Sequence, residues 1–338
     1  MDIVIGANNM LGAHTICSLL KKGKQVRALK RKNSNTLQFE KILSYYFLDF
    51  ENIYTEIEWV EADPFDKDSL IEALEDAEVV YNCTWPVIFQ GKKHSDVVSV
   101  NVEATSILID AAIDAGVEYF CHVSNVAALG DEPECKEISE NSERNPKAKY
   151  SYFSQAAFLS EMEVWRGFEE GLKGAIISPS VILGPGDWCS DYSSIIKKID
   201  KGINFYTQGV TGFVGVNDVV ECMLSLTKQK IYSQKYIVSS QNLCFSKILF
   251  DFADCLKVKR PKYNANKFIL TLAKYILKIN TIFTKKNPKL TDDLINTLTN
   301  FKLYSNEKSI NTLTAGYQPI DQVIEEICDI YQKNKQRK

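Results

Sequence analysis

The sequence predicts an α/β protein built on a doubly wound parallel sheet, with a smaller, mostly helical C-terminal lobe. Three observations carry this. The chain opens on a short apolar run, Ile3-Val4-Ile5, broken by Gly6. A loop ending at Gly12 then leads into a helical segment, AHTICSLLKKG, and a second β-like run from Lys24 to Lys30. Strand and helix patterns go on alternating at that scale until about residue 178, as a parallel sheet covered on both faces requires. Strand, tight glycine loop and helix turn bare N–H groups and a helix N-terminus toward a phosphate, so the first twelve residues predict a nucleotide ligand.

The elements follow in order. Residues 31–52 are polar, with a helix expected around 37–46. A third strand is expected at 57–61, a helix at 68–74 and a fourth strand at 78–83. Val97, Val100, Ala104, Ile107, Leu108 and Ala111 recur at helical spacing, which places a long helix over 91–114, closed by Gly116. A fifth strand is expected at 117–124. The charged loop 130–149 leads into a helix from about Tyr150 to Glu170, stopped by Gly171, and a sixth strand at 174–178. Right-handed crossovers make such a sheet Rossmann-like.

Beyond SPSVILGPGDW the alternation fades. Helices are expected at 193–201, 217–229, 245–257, 264–283, 291–300 and 319–331, with short strands near 213–216 and 235–238. The division is therefore 1–180 for the nucleotide-binding domain, with some later elements packed back on it. Residues 181–332 form the smaller lobe and C-terminal helices, and 333–338 a frayed basic tail.

Composition narrows the partners. Of 338 residues, 45% are apolar and 25% charged, the balance of an ordinary globular protein. A net charge of −3 gives no general pull toward nucleic acid or an anionic membrane. Nine cysteines without a C-x-x-C pair do not read as a disulfide frame, and they fit a reducing, cytoplasmic setting. The residues before the first strand show no basic-apolar-small leader pattern, so secretion is not expected. The apolar stretch 268–283 is interrupted by Lys274, Lys278 and Asn280; it reads as an amphipathic helix and not a membrane span. His14, His94 and His122 lie far apart, so neither a histidine metal site nor Ser-His-Asp chemistry is expected, and no metal is expected at all.

Eight signals occur in one order: IGANNMLG, VRALKR, EWVEADPFDKDSLIEAL, EVVYNCTWP, VNVEATSILIDAAIDAGV, CHVSNVAALG, ISPSVILGPGDW and GFVGVNDVVECMLSL. On these motifs the chain resembles the extended short-chain dehydrogenases/reductases. The type is the NAD(P)-dependent epimerase/dehydratase group that includes dihydroflavonol reductases and 3β-hydroxysteroid dehydrogenases. The resemblance is near end to end over residues 1–240 and weaker afterwards.

The resemblance implies a dinucleotide site. Gly6 and Gly12 match the outer glycines of the family's G-x-x-G-x-x-G loop, which here also holds Asn8, Met10 and Leu11. The middle glycine is Asn9, a residue tolerant of positive φ whose Cβ narrows the approach to the pyrophosphate. Lys30, Arg31 and Lys32 stand where an acidic residue would hold a ribose 2′-hydroxyl, so NADP(H) is expected over NAD(H). Asp63, followed by Pro64, matches the carboxylate that meets the adenine amine. Cys83, Thr84 and Trp85 match the backbone passing the adenosine ribose, and Pro179 to Val181 the segment lining the nicotinamide.

The family's proton-transfer set is not matched. Relatives carry a tyrosine and a lysine in Y-x-x-x-K and a serine after the fifth strand. A glutamate eight residues after the tyrosine, followed by V-W, fixes the register at Glu161, Val164 and Trp165. Counting back puts Phe153 at the tyrosine and Ala157 at the lysine. The serine position, five before Gly130, is Asn125. Only Asn101, at the family's fourth, water-holding position, is retained. Tyr150, one turn before Phe153 if the helix is continuous, is a candidate substitute acid. Three further Tyr-x-x-x-Lys matches, Tyr263/Lys267, Tyr304/Lys308 and Tyr331/Lys335, read as surface residues.

Three readings follow: a nucleotide-binding protein without the family's hydride chemistry; an active NADP-linked oxidoreductase or epimerase using Tyr150 or Tyr152; and a structural partner that has lost the nucleotide. A homodimer is expected through the helices at 91–114 and 150–170, with Ile107, Ala111, Phe158, Met162 and Trp165 on their apolar stripes. A small-molecule ligand would meet the loop after Trp85, the 130–149 loop and the lobe around Trp188, Tyr192, Phe205 and Tyr206.

Overall fold

The computed structural model describes residues 1–84, 96–132, 136–188, 193–274, 291–314 and 316–336. Trp85, Tyr192, most of the 268–283 stretch and the start of the 91–114 helix lie outside them.

The main sheet has seven strands, all parallel. They are β1 (Asp2–Ile5), β2 (Val26–Lys30), β3 (Glu58–Glu61), β4 (Val79–Asn82), β5 (Tyr119–Val123), β6 (Gly174–Pro179) and β10 (Lys235–Val238), in the spatial order β10-β6-β5-β4-β1-β2-β3. The order reverses between β1 and β4, and the crevice beyond the carboxyl ends of those two strands is where open α/β sheets receive ligands.

Each strand alternates its side chains between two buried layers, so both faces must be apolar. Val4, Ala28, Tyr81, Cys121 and Ile177 face a core shared with α1 (Met10–Lys21), α2 (Leu37–Tyr46), α3 (Phe50–Thr55) and α8 (Val216–Gln229). Ile3, Leu29, Val80, Phe120 and Ile176 face the opposite core, under α4 (Lys67–Ala73), α5 (Val97–Asp114) and α6 (Tyr152–Glu169). The edge strand β3 is less buried, with Glu58 and Glu61 exposed.

The second half contributes β7 (Val181–Leu183), β9 (Val210–Gly215) and β11 (Gln241–Cys244), which form a three-stranded sheet. β8 (Phe205–Tyr206) pairs with β12 (Tyr263–Asn264). The helices are α7 (Ser193–Asp200), α9 (Phe245–Cys255), α10 (267–274 as described), α11 (Asp292–Thr299), α12 (Glu307–Thr312) and α13 (Ile320–Gln336). Leu183, Trp188, Ile196, Phe213, Phe252 and Ile324 make its core. β10 joins the main sheet beside β6, and α8 packs on one face of that sheet.

Three expectations change. The helix after the charged loop begins at Tyr152, because the Ser151 side chain accepts from the Ser154 N–H and caps it there. Tyr150 is outside the helix. The basic tail is not frayed over its first residues: α13 runs to Gln336, and Lys335 pairs with Asp200 at 2.8 Å. Of the extra Tyr-x-x-x-Lys tyrosines, Tyr304 and Tyr331 are buried, and only Tyr263 lies on the surface.

Candidate dinucleotide site

The loop after β1 is closed by its own side chain. Gly6 takes φ +81, a left-handed conformation that favours glycine, and a Cβ there would also meet the Cys83 carbonyl. A Cβ on Gly12 would lie 2.3 Å from the Gly6 oxygen, so the first turn of α1 sits directly against the loop. Asn9 takes φ −90, not the positive φ the sequence suggested, and serves as the helix N-cap. Its Oδ1 accepts from the Gly12 N–H at 2.8 Å, and its Nδ2 donates to the Cys83 carbonyl at 2.7 Å. An asparagine therefore fits for its side-chain hydrogen bonds and not for its backbone tolerance.

The Met10 and Leu11 amides belong to the first helical turn and have no intrahelical acceptor. That turn carries no acidic side chain, so the positive end of α1 is not offset locally. Beside it the Asn8 Oδ1 is buried with no donor among the described residues, an acceptor suited to a hydroxyl or amide. These features fit the phosphates of a dinucleotide.

Around the crevice, Thr84 donates to Asn82 Oδ1 through both its amide (3.2 Å) and its hydroxyl (2.6 Å). Asn82 in turn meets buried His122, whose pKa falls to about 3 because burial disfavours its charge. Burial pushes the Cys83 thiol up to about 12, so it is a packing group and not a nucleophile. At the end of β2, Lys30 pairs with Glu61 at 3.5 Å, and Arg31 and Lys32 are exposed. Asp63, after β3, is exposed and accepts from the Phe65 amide. Pro64 is half-buried beside it. Pro179 ends β6 and is buried, while Val181 is half-buried at the start of β7.

The start of α6, which carries Phe153 and Ala157, rests on the bend after β5, which carries Asn125. Ser154, in the first turn of α6, donates to the Ala127 carbonyl at 2.7 Å, which seats that turn on the bend after β5. Asn125 opens this bend, and its Oδ1 accepts from the Ala127 amide at 2.8 Å. Phe153 is exposed next to Ser154, and Ala157, one turn on, is buried. Asn101 folds its Nδ2 onto the Val97 carbonyl of α5 at 2.6 Å.

Tyr150 has a different occupation. Its hydroxyl accepts from the Asn145 amide at 2.9 Å, and its ring lies 3.6 Å from the Arg144 guanidinium carbon. Arg144 also donates to the Ala127 and Ala128 carbonyls and to Ser154. Nothing in the sequence marked Arg144, because its hydrogen-bond acceptors lie 10 to 17 residues away.

Glu161 also has a role that its sequence position did not reveal. It is buried, accepts from Ser124 Oγ at 2.7 Å and pairs with Lys235 Nζ at 2.5 Å. Of the aromatic residues expected near a ligand, Trp188 is core, packed 5.2 Å from the Tyr331 ring. Tyr206 packs on Phe250, and Phe205 is exposed.

The model of the NAD-dependent epimerase/dehydratase family matches residues 3–238. The chain belongs to that family. Among curated relatives, sterol demethylase protein B of Methylococcus capsulatus is 26% identical over 262 residues, covering 77% of this chain and 76% of the relative. Among solved structures, that of gox2253 superposes with TM-score 0.80 at 20% identity, covering 99% of this chain and 98% of the other. The dTDP-glucose 4,6-dehydratase DesIV of Streptomyces venezuelae, with NAD and TYD bound, superposes with TM-score 0.74 at 15% identity, covering 99% and 98%. At these identities the structures share the fold. Among the described residues no helix is long and apolar enough to cross a membrane.

Proposed function

We propose that this family member binds a dinucleotide without carrying out the family's usual hydride chemistry. The observation that carries the reading is the Ser154–Ala127 contact. It seats the start of α6 on the bend after β5, and the three side chains in those places are Phe153, Ala157 and Asn125. Phenylalanine has no proton to transfer, and alanine has no charge with which to lower a neighbour's pKa. Asn125 can donate a hydrogen bond through its Nδ2, while its Oδ1 is held by the Ala127 amide. A bound dinucleotide would supply hydride exchange through its nicotinamide; this chain's residues would hold its pyrophosphate at Met10 and Leu11, its adenine at Asp63 and its nicotinamide at Pro179–Val181. The active alternative through Tyr150 is weakened by that hydroxyl's place outside α6, on the Asn145 amide.

The cofactor is NADP(H) over NAD(H). The end of β2 offers exposed Arg31 and Lys32 and no carboxylate of its own to a 2′-phosphate. A homodimer belongs to the same reading. Leu159 and Met162 are exposed on α6, while Ala111 is turned into the core. A monomer by light scattering at micromolar concentration would remove it. The function itself is tested by calorimetric titration with NADPH and NADH, then by cofactor oxidation over a panel of carbonyl and nucleotide-sugar substrates. Saturable binding without turnover is expected. Turnover abolished by Tyr150→Phe would establish the active reading, and no binding of either cofactor would overturn both.

A further inference from the structure

The smaller lobe carries a surface that the dinucleotide site does not use. We propose that it docks peripherally on an anionic phospholipid bilayer, through apolar side chains set among unpaired lysines around β8, β12 and α10.

The apolar part is exposed well beyond what a globular surface needs. Phe268 is 76% exposed, Tyr263 60%, Phe205 56% and Leu272 52%. The Phe205 and Tyr263 rings pack together at 5.8 Å, held by the β8–β12 pairing. Phe268, Ile269 and Leu272 share one face of α10 by their i, i+3 and i, i+4 spacing. Aromatic and aliphatic side chains gathered this way on a short helix and its neighbouring strand suit the headgroup–acyl boundary.

Charge selects the partner. From Cys255 through Lys274 the chain holds six cationic residues and no acidic one, against a whole-chain charge of −3. Four acidic groups bordering this stretch are already neutralised: Asp254 by Arg260, Asp251 by Lys247, Asp200 by Lys335 and Asp292 by Lys274. Lys257, Lys259, Lys262 and Lys267 are exposed and have no ion pair among the described residues. Each lysine near an anionic lipid surface strengthens binding about fivefold, and the effect fades within a Debye length. A nucleic acid would use the lysines and leave Phe268 and Leu272 in water; a bilayer uses both.

The test is co-sedimentation of the full chain with phosphatidylcholine vesicles, with and without roughly 30% phosphatidylglycerol. Binding is expected only to the anionic vesicles and should weaken as NaCl is raised. Two surface variants, K257E/K259E/K262E/K267E and F268E/L272E, should each lose at least tenfold in partitioning while keeping the wild-type thermal midpoint. A Phe268→Trp reporter should shift to the blue on adding anionic vesicles. No binding to anionic vesicles overturns the proposal. So does binding that F268E/L272E retains in full, or a single-stranded RNA oligonucleotide that binds wild type and F268E/L272E equally and displaces the vesicles.

Discussion

Asn9 Nδ2 donates to the Cys83 carbonyl across 2.7 Å and thereby ties the loop after β1 to the end of β4, over the point where the strand order reverses. The same side chain caps α1 through the Gly12 amide. A residue that departs from the family's glycine thus replaces backbone freedom with two hydrogen bonds. Asn9→Ala removes both and should destabilise the fold by about 1–2 kcal/mol, read as a lower urea midpoint with unchanged slope. Asn9→Gly restores the family residue and should bind the dinucleotide no more weakly than wild type. A weaker-binding Asn9→Gly would mean that the asparagine itself contacts the ligand.

The basic end of β2 makes a cofactor prediction. Replacing Arg31 and Lys32 by alanine should weaken NADPH binding about tenfold or more, through loss of charged contacts to the 2′-phosphate, and leave NADH binding unchanged. Calorimetry with both cofactors checks it, and an equal loss for NADH would assign the two residues to general folding or steering.

The buried Glu161–Lys235 pair predicts a large, specific stability effect. Lys235→Met strands a carboxylate that is nearly inaccessible to solvent and should cost about 3 kcal/mol or more. Adding Glu161→Gln to that variant removes the stranded charge and should recover most of the loss. Chemical denaturation of the single and double variants measures the difference.

His14 predicts a pH dependence. It is buried between Tyr46 Oη (2.5 Å) and the Pro185 carbonyl (2.9 Å), and burial lowers its pKa to about 4. The unfolded chain then takes up a proton below pH 6.5 that the native state refuses. Stability contributed by neutral His14 is present above pH 6.5 and is lost as pH falls toward 4, with a slope of about 1.4 kcal/mol per pH unit. Asp218, raised by burial to about 6, acts in the opposite sense. Its contribution is present below the ordinary carboxylate range and is lost as pH rises through 6. Urea midpoints of wild type and His14→Asn between pH 7 and pH 4 isolate the histidine, because the variant lacks that share of the slope.

Much of this was readable in the sequence because its signals are local. Apolar strands of four to six residues, helical spacing and glycine stops placed all seven strands of the main sheet near their observed positions. The register proposed for α6 rests on Glu161 and the V-W pair, local signals within one helix, and the first turn of that helix lies on the bend after β5. The parts that were not readable depend on partners distant in the chain. Asn9 answers to Cys83, 74 residues on, so a φ preference gave the wrong reason for its fit. Tyr150 is detached from α6 by a Ser151 cap that a Tyr-x-x-x-Lys count cannot see. Lys335 is held by Asp200, 135 residues earlier, so a basic ending looked frayed when its first turn is anchored.

In the proposed function a dinucleotide is held at α1 beside the start of α6, where Phe153 and Ala157 stand in place of a proton-transferring pair. The most direct measurement holds NADPH at stoichiometric concentration with the wild-type protein and the carbonyl and nucleotide-sugar panel. Cofactor fluorescence reports binding, and the absorbance of the reduced nicotinamide reports turnover. A saturated fluorescence change with a flat absorbance trace is expected. Catalysed loss of that absorbance, dependent on substrate and protein, would contradict the proposed function.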